Sequence, residues 1–470
     1  MKYKLVFILS LLFTAIDTIS CKKYVDVDLP RTQLVTTSVF AGNSTATAAT
    51  TAIYSQMSSL QPIEWFTGLS SGELINYSTN QVYSDLYKNA LVSDDGALIS
   101  ASIWSQYYSY IYQANAIIEG LQNSSSVSTS VKQQLTGEAK FIRALCNFYL
   151  SNLYGDIALL TSTQYQANVL MSRTSITQVY QQIISDLQDA QQLLNDGFVD
   201  ANNVVYANLN TAERVRPTKY AAAALLARAY LYTKDWAKAE EQATNVIGNT
   251  AMFQLITTDL SIVFNKNSLE TIWQIMPPGT KGYNTDEGYY FILTTPPNAA
   301  NGVALSTQLL NSFEAGDKRK NTWIKSITNS GMTYYYPFKY KVQTGNNLSE
   351  YSMMLRLAEQ YLIRAEARAQ LNNIPGSLSD LNAIRNRAGL TSMVTNNKDS
   401  LLMSIMHERQ VELFTEAHRW LDLKRTNAID SVMSIITPQK GGMWNSYQQL
   451  YPIPLESIQN SVNITQNKGY

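Results

Sequence analysis

Two alanine-rich helical runs, each followed by a short polar turn and a second helical run, constrain the fold of this chain more than any other feature. Lys219 to Tyr232 is dense in Ala and Leu, Lys234-Asp235 makes a turn, and Trp236 to Val246 resumes with helical spacing. Alanines at 221, 222, 223, 224, 227 and 229 carry no bulk beyond Cβ, so a neighbouring backbone is free to approach closely. The device recurs where Leu355, Ala358, Leu362, Ala365 and Ala369 line one face, Asn372 to Gly376 turns the chain, and Ser377 to Arg387 returns. A helix pair of this kind buries its apolar face only by stacking on neighbours, so two copies predict a helical-repeat scaffold.

Apolar residues at spacings of three and four place further helices at about Ala41–Met57, from Ser100 through Trp104, Tyr108, Ile111, Ala114 and Ile118, at Val131–Leu153 and at Thr177–Leu194. The pairs pack in the manner of tetratricopeptide repeats, without the full repeat signature. The expected fold is mostly α: a single large helical domain over 41–470 with tetratricopeptide-like helix pairs and two long irregular loop excursions. The first, about 60–97, is rich in Ser, Asn, Tyr and Gly; the second, about 251–345, holds the strand-like run Thr271-Ile272-Trp273-Gln274-Ile275 between segments broken by Pro277, Pro278, Pro296 and Pro297. Long excursions on a rigid frame are where binding residues concentrate.

The first twenty residues form an address. Lys2 and Lys4 precede a mostly apolar run from Leu5 to Ile16, too short to span a bilayer and suited to a signal-peptide core. It ends at Thr18-Ile19-Ser20-Cys21, where a small residue precedes the first cysteine, as at a bacterial lipoprotein cleavage site. Residues 1–20 are therefore read as a lipoprotein signal peptide and 21–40 as a lipidated leader. The other cysteine, Cys146, falls within a helical run, which leaves no disulfide framework.

Lys+Arg and Asp+Glu number 36 each, and no basic run is present to track a phosphate backbone, so nucleic acid is not the expected partner. With 30 Tyr and 7 Trp against 15% charged residues, the composition suits neutral, hydroxyl-rich ligands. Aromatic faces pack on apolar C–H faces of sugars, and amides match their hydroxyls.

Catalytic motifs are weak. Gly68-Leu69-Ser70-Ser71-Gly72 matches G-x-S-x-G, but the chain lacks the strand–helix alternation that a nucleophile elbow needs, and its two histidines, His407 and His418, fall in a predicted helix. His407-Glu408 begins like H-E-x-x-H, yet Val411 stands where the second ligand belongs. No cysteine pair, phosphate-cradling glycine loop or calcium-loop spacing points to a cofactor or metal. A glycoside hydrolase needs only two carboxylates. Asp94-Asp95 and Asp286-Glu287 are the candidates near the excursions, and both are read as solvated loop charge.

Gly137-Glu138-Ala139-Lys140-Phe141-Ile142-Arg143-Ala144 with Leu153-Tyr154-Gly155-Asp156-Ile157-Ala158-Leu159-Leu160, and Arg356-Leu357-Ala358-Glu359-Gln360-Tyr361-Leu362-Ile363-Arg364-Ala365-Glu366-Ala367 with Leu381 to Leu390, are colinear segments that resemble the SusD/RagB family of outer-membrane glycan-binding lipoproteins of Bacteroidetes, Ala158 replacing the family's usual proline. Glu408-Arg409-Gln410-Val411-Glu412-Leu413, Arg419-Trp420-Leu421-Asp422-Leu423-Lys424-Arg425, Tyr451-Pro452-Ile453-Pro454 and Gln466-Asn467-Lys468-Gly469-Tyr470 agree as well. These blocks describe scaffold, their charged residues being spaced for interhelical ion pairs and caps. The resemblance implies a helical, non-enzymatic protein, anchored at the cell surface, that hands glycan to a TonB-dependent SusC-like transporter.

The expected ligand residues are aromatic rings set without helical spacing among Gly, Pro, Ser and Asn. They are Trp65, Tyr77 and Tyr83 on the first excursion and Tyr283, Tyr289, Tyr290 and Trp323 on the second, with Asn76, Asn80 and Asn284 fixing hydroxyls. Trp273 is excluded, because its Ile272 and Ile275 neighbours mark a buried strand. A glycan-active hydrolase and a purely adhesive surface protein are the alternative readings. Metabolic labelling with a lipid analogue tests the anchor: the parent incorporates label and Cys21→Ala does not.

Overall fold

The computed structural model describes residues 36–58, 63–95, 99–279, 281–299 and 302–470, so Cys21 and most of the leader lie outside the described residues. Within them, α1 (Asn43–Met57) leads to α2 (Ile63–Ser71), the strand β1 (Leu74–Asn76) and α3 (Gln81–Lys88). A ladder follows, formed by α4 (Ser105–Asn123), α5 (Thr129–Tyr154), α6 (Ile176–Leu193), α7 (Lys219–Tyr232) and α8 (Trp236–Ile247), each helix packed on the one before. The second excursion carries β2 (Thr271–Ile275), α9 (Asp286–Phe291), β3 (Val303–Leu305) and the hairpin of β4 (Ile324–Asn329) and β5 (Met332–Pro337). β6 (Ser352–Arg356) then returns the chain to the ladder as α10 (Leu357–Gln370), α11 (Ile374–Arg387) and α12 (Lys398–Glu412), with α10 packed directly on α8. α13 (Arg419–Arg425) packs on α2 and on α14 (Ile429–Gln439).

The two helix pairs read from the sequence turn in the same way. Lys234 and Asn372 both have φ of 62°. One left-handed residue reverses the chain, and the next amide bonds back into the last turn: Asp235 N–H to Tyr230 O at 2.9 Å and Asn373 N–H to Arg368 O at 2.8 Å. Each of these residues then caps the following helix, Asp235 accepting from Lys238 N and Asn373 from Gly376 N. Ala221 to Ala224, Ala227 and Ala229 are fully buried, as close helix approach requires. Trp273 is also buried, on β2 paired antiparallel to β6, with its ring against Phe141 and its indole N–H donating to Val215 O. Cys146 is a buried thiol on α5.

The junction between the second excursion and the ladder is a buried ion cluster. Glu412, at the end of α12, accepts from Arg356 at 2.5 Å, from Arg319 at 2.9 Å and from Arg387. Arg319 also binds Asp317 and Glu408, Arg387 binds Glu270, and Arg356 binds Glu416. Burial pushes the Glu412 carboxyl up, but the Arg387, Arg356 and Arg319 guanidiniums outweigh it and hold the group well below the usual carboxylate range. Trp323 is walled in here at 0% exposure, with Lys339, Arg387 and Arg356 all within 6 Å of its ring centroid and its indole N–H on Leu260 O. This corrects the reading of Trp323 as a ligand-facing ring: its face is occupied by the protein's own cations.

Other buried lysines close helix C-termini, where the last carbonyls lack partners. Lys440 reaches Leu69 O and Ser70 O of α2, Lys424 reaches Asn152 O of α5, and Lys339 reaches Glu412 O and Phe414 O beyond α12. Burial pulls all three down, Lys424 to about 7 and Lys339 to about 8.

The first excursion is less irregular than its composition implies, for it contains α2 and α3. α2 is buried around most of its circumference, so it shows no one-sided apolar period. α3 is a short polar helix capped by Asn80. Gly68 to Ser71 therefore lie in a helix, and Ser70 Oγ shares a hydrogen bond with Tyr451 Oη instead of sitting on a strained elbow. Because the Glu412 cluster is buried, Glu412→Ala leaves three guanidiniums short of a counter-charge. The expected loss is about 3–5 kcal/mol, read from urea unfolding.

Candidate ligand-binding surface

The two excursions, far apart in sequence, are joined by an antiparallel ladder in which Leu74, Ile75 and Asn76 of β1 pair with Leu305, Ala304 and Val303 of β3. Tyr77 N–H extends it to Gly302 O at 2.6 Å. The approach is close enough that a Cβ on Gly302 would lie 2.8 Å from the Ser78 Cβ. β5 packs beside β3, so rings from α3, α9, β1 and the hairpin share one side of the molecule.

The rings form two exposed groups over a buried base. Tyr283 and Tyr289 stack with centroids 4.4 Å apart and planes 19° apart, and Tyr289 is 39% exposed. Tyr290 meets Tyr289 edge-on at 5.2 Å and Trp65 at 5.7 Å. Tyr77, 37% exposed, meets Tyr334 edge-on at 5.6 Å. Beneath Tyr290, Trp65 stacks on Phe291 at 5.9 Å and packs against the half-buried Tyr83. Trp65 is only 3% exposed, so the expectation of an open Trp65 face is corrected: it is the base on which outer rings rest.

Of the seven rings named from sequence, six therefore gather at this seam, whereas Trp323 lies in the ion cluster. Tyr334 was not foreseen. The signal was Tyr334-Tyr335-Tyr336, because strand alternation sends Tyr334 and Tyr336 to one face and the exposed Tyr335 to the other.

The asparagines work locally. Asn284 is fully buried and accepts from Ser349 N and Glu350 N while donating to Asn347 O, which pins the loop before α9. Its expected role in fixing ligand hydroxyls is corrected, since both ends of the amide are committed. Asn76 closes a turn with Ser78 N, and Asn80 caps α3 through Val82 N; Asn76 is half-buried and Asn80 exposed.

Asp286 and Glu287 also differ from expectation. They are buried in the first turn of α9, not solvated, and line a cavity of about 60 Å³ together with Glu64 of α2. Lys281 pairs with Asp286 at 2.9 Å and stands over the Tyr283 ring, 5.1 Å from its centroid. The histidines are structural neighbours elsewhere: His407 Nε2 lies 2.8 Å from Ser312 O, and burial followed by the charges of Arg228 and Arg409 pulls His418 well down.

Against known proteins, the profile described as SusD family matches residues 273–470, and one described as starch-binding associating with outer membrane matches residues 46–231. SusD-like protein P2 of Formosa agariphila is 30% identical over 438 residues, covering 81% of this chain and 83% of that protein. The chain belongs to the SusD family. Its fold is that of solved SusD structures: a SusD superfamily protein from Parabacteroides distasonis superposes with a TM-score of 0.77 at 22% identity, covering 93% of this chain and all of that one. A laminarin binding SusD-like protein superposes with a TM-score of 0.74 at 21% identity, covering 91% of this chain and all of that one.

The division between base and outer rings has a measurable consequence. Trp65→Ala empties a buried site and is expected to cost about 3–5 kcal/mol in urea unfolding, whereas Tyr289→Ala should stay within about 0.5 kcal/mol of the parent.

Proposed function

We propose that this SusD-family chain is a lipid-anchored outer-membrane protein that captures glycan on the Tyr283–Tyr289 and Tyr77–Tyr334 rings and passes it to a TonB-dependent SusC-like transporter. The observation that carries the reading is the meeting of the exposed Tyr77 with the half-buried Tyr334 across the β1–β3 seam, beside the stacked pair of half-buried Tyr283 and exposed Tyr289. A neutral sugar offers no charge to grip, so stacking on exposed rings must supply much of the affinity. A lipid-held binder moves nothing across the membrane alone, which is the physical argument for a transporter partner.

Binding is favoured over hydrolysis because Asp286 is neutralised by Lys281 and Glu287 is enclosed with Glu64, so neither flanks an open groove. The descriptions of one matched family as starch-binding and of a similarly folded protein as laminarin binding make glucose polymers the first panel to test on the chain lacking residues 1–21. Retention of a glycan without product release is the expected result. With that glycan, Tyr289→Ala, Tyr77→Ala and Tyr334→Ala should each weaken binding by about 1–3 kcal/mol, the scale of stacking on an aromatic platform, with the melting temperature nearly unchanged. Equal affinity in all three variants would move the site elsewhere. Co-purification from native membranes should recover a large β-barrel with the chain.

A further inference from the structure

The acid-lined cavity is walled in part by α2 and α9, the helices that carry Trp65 and Tyr289–Tyr290. Glu64 projects from α2 beside Trp65, and Glu287 from α9 three residues before Tyr290; Ser352 of β6 and Tyr107 and Tyr110 of α4 complete the lining. Glu287 accepts from Ser352 Oγ at 2.8 Å, while Glu64 has no ion-pair partner among the described residues. The buried Tyr110 hydroxyl is likewise without a hydrogen-bond partner, and the cavity has room for a few waters.

The surroundings compensate this pair only in part, through the Ser352 hydroxyl and the charge of Lys281 on Glu287. Lys281 is committed to Asp286, which also holds the Tyr283 hydroxyl. Glu416, held by Arg356 and Lys339, and Asp286 both add to the push on Glu64. The remaining titratable neighbours, Tyr107, Tyr149 and Tyr340, are buried phenols whose ionisation burial suppresses. Two full negative charges here, Glu287 buried and Glu64 half-buried, would line one small cavity with a share of the Lys281 charge to offset Glu287.

We propose that Glu64 and Glu287 keep at least one proton on the pair and that this proton keeps α2 seated on α9, so the ring platform is assembled while a proton is bound and loosens when the last one leaves. Both helices carry the rings concerned: Trp65 on α2, and Tyr289, Tyr290 and Phe291 on α9. Glu64 and Glu287 are thus positioning residues. Burial is the main cause that raises both carboxyls, Glu64 to about 8, with Glu287 adding to the push, and Glu287 to about 7. A carboxyl raised in the folded state binds its proton more tightly folded than unfolded. Its stabilising contribution is complete below the ordinary value of 4.5, declines as pH rises and is gone above about 8.

Near-UV circular dichroism of the ligand-free chain from about pH 5.5 to about pH 9 tests this, because aromatic packing is read without any glycan. The parent should show a transition between pH 7 and 8 while the far-UV signal stays constant. Glu64→Gln and Glu287→Gln, neutral at every pH, should each keep the low-pH signal throughout and melt higher than the parent at alkaline pH only. Glu73 and Lys339 titrate in the same window, to about 7 and about 8, so the transition must vanish in the Gln variants to count. A parent signal that is flat, or a transition retained in both variants, overturns the proposal.

The functional arm rests on the glycan-binding reading. With a pair that loses its proton near pH 8, the competent fraction at pH 9 is about one tenth, so parent affinity should fall about tenfold from pH 6 while the variants hold theirs. If the dichroism transition disappears in the variants but no glycan binds at any pH, the seam stands and the glycan reading falls instead.

Discussion

The second excursion is held to the helical ladder by the charge cluster around Glu412. One carboxylate on the ladder receives guanidiniums from the end of β6, from α11 and from the second excursion, and each of those is held by a further acid. Buried ion pairs recover their desolvation cost only when every donor finds its acceptor, so such a cluster is satisfied in one arrangement and penalises the others. Asp317, Arg319, Trp323 and Lys339 are fixed by it, and with them the start of the hairpin that carries Tyr334. The cluster contributes registry more than net stability.

The ring surface depends on that registry at second hand. Its two halves belong to separate excursions, and main-chain pairing of β1 with β3 brings them together. Trp65 and Phe291 then join α2 to α9 through a stacked contact, on the same interface that encloses Glu64 and Glu287. Apolar ring packing holds this interface at any pH, and the acid pair makes it sensitive to protons. A ligand surface assembled from loops therefore rests on two buried supports, one permanently charged and one titratable.

Reading the chain from residues alone succeeded where the signal was local. The alanine-rich pairs, their turns at Lys234 and Asn372 and the buried strand around Trp273 all followed from spacing and neighbours. It failed where burial comes from distant partners. Trp323 sits among Pro- and Gly-broken loops with no helical stripe, which is how an exposed ring looks in sequence; the cations that enclose it come from positions 339, 356 and 387. Asp286 and Glu287 read as solvent charges for the same reason, since Glu64, Lys281 and Ser352 are needed to show that they are enclosed.

Sequence by itself determined the helical-repeat frame, the family and the two stretches from which the ring surface is drawn, because helix period, turn chemistry and small-residue packing act over a few residues. Only the tertiary structure decided which rings face outward, which asparagines are already spent on the backbone, and which acids share a cavity. Those outcomes depend on partners that a short-range pattern does not record: Arg356 and Arg387 over Trp323, Ser349 and Glu350 on Asn284, and Glu64 in one cavity with Glu287 more than two hundred residues away.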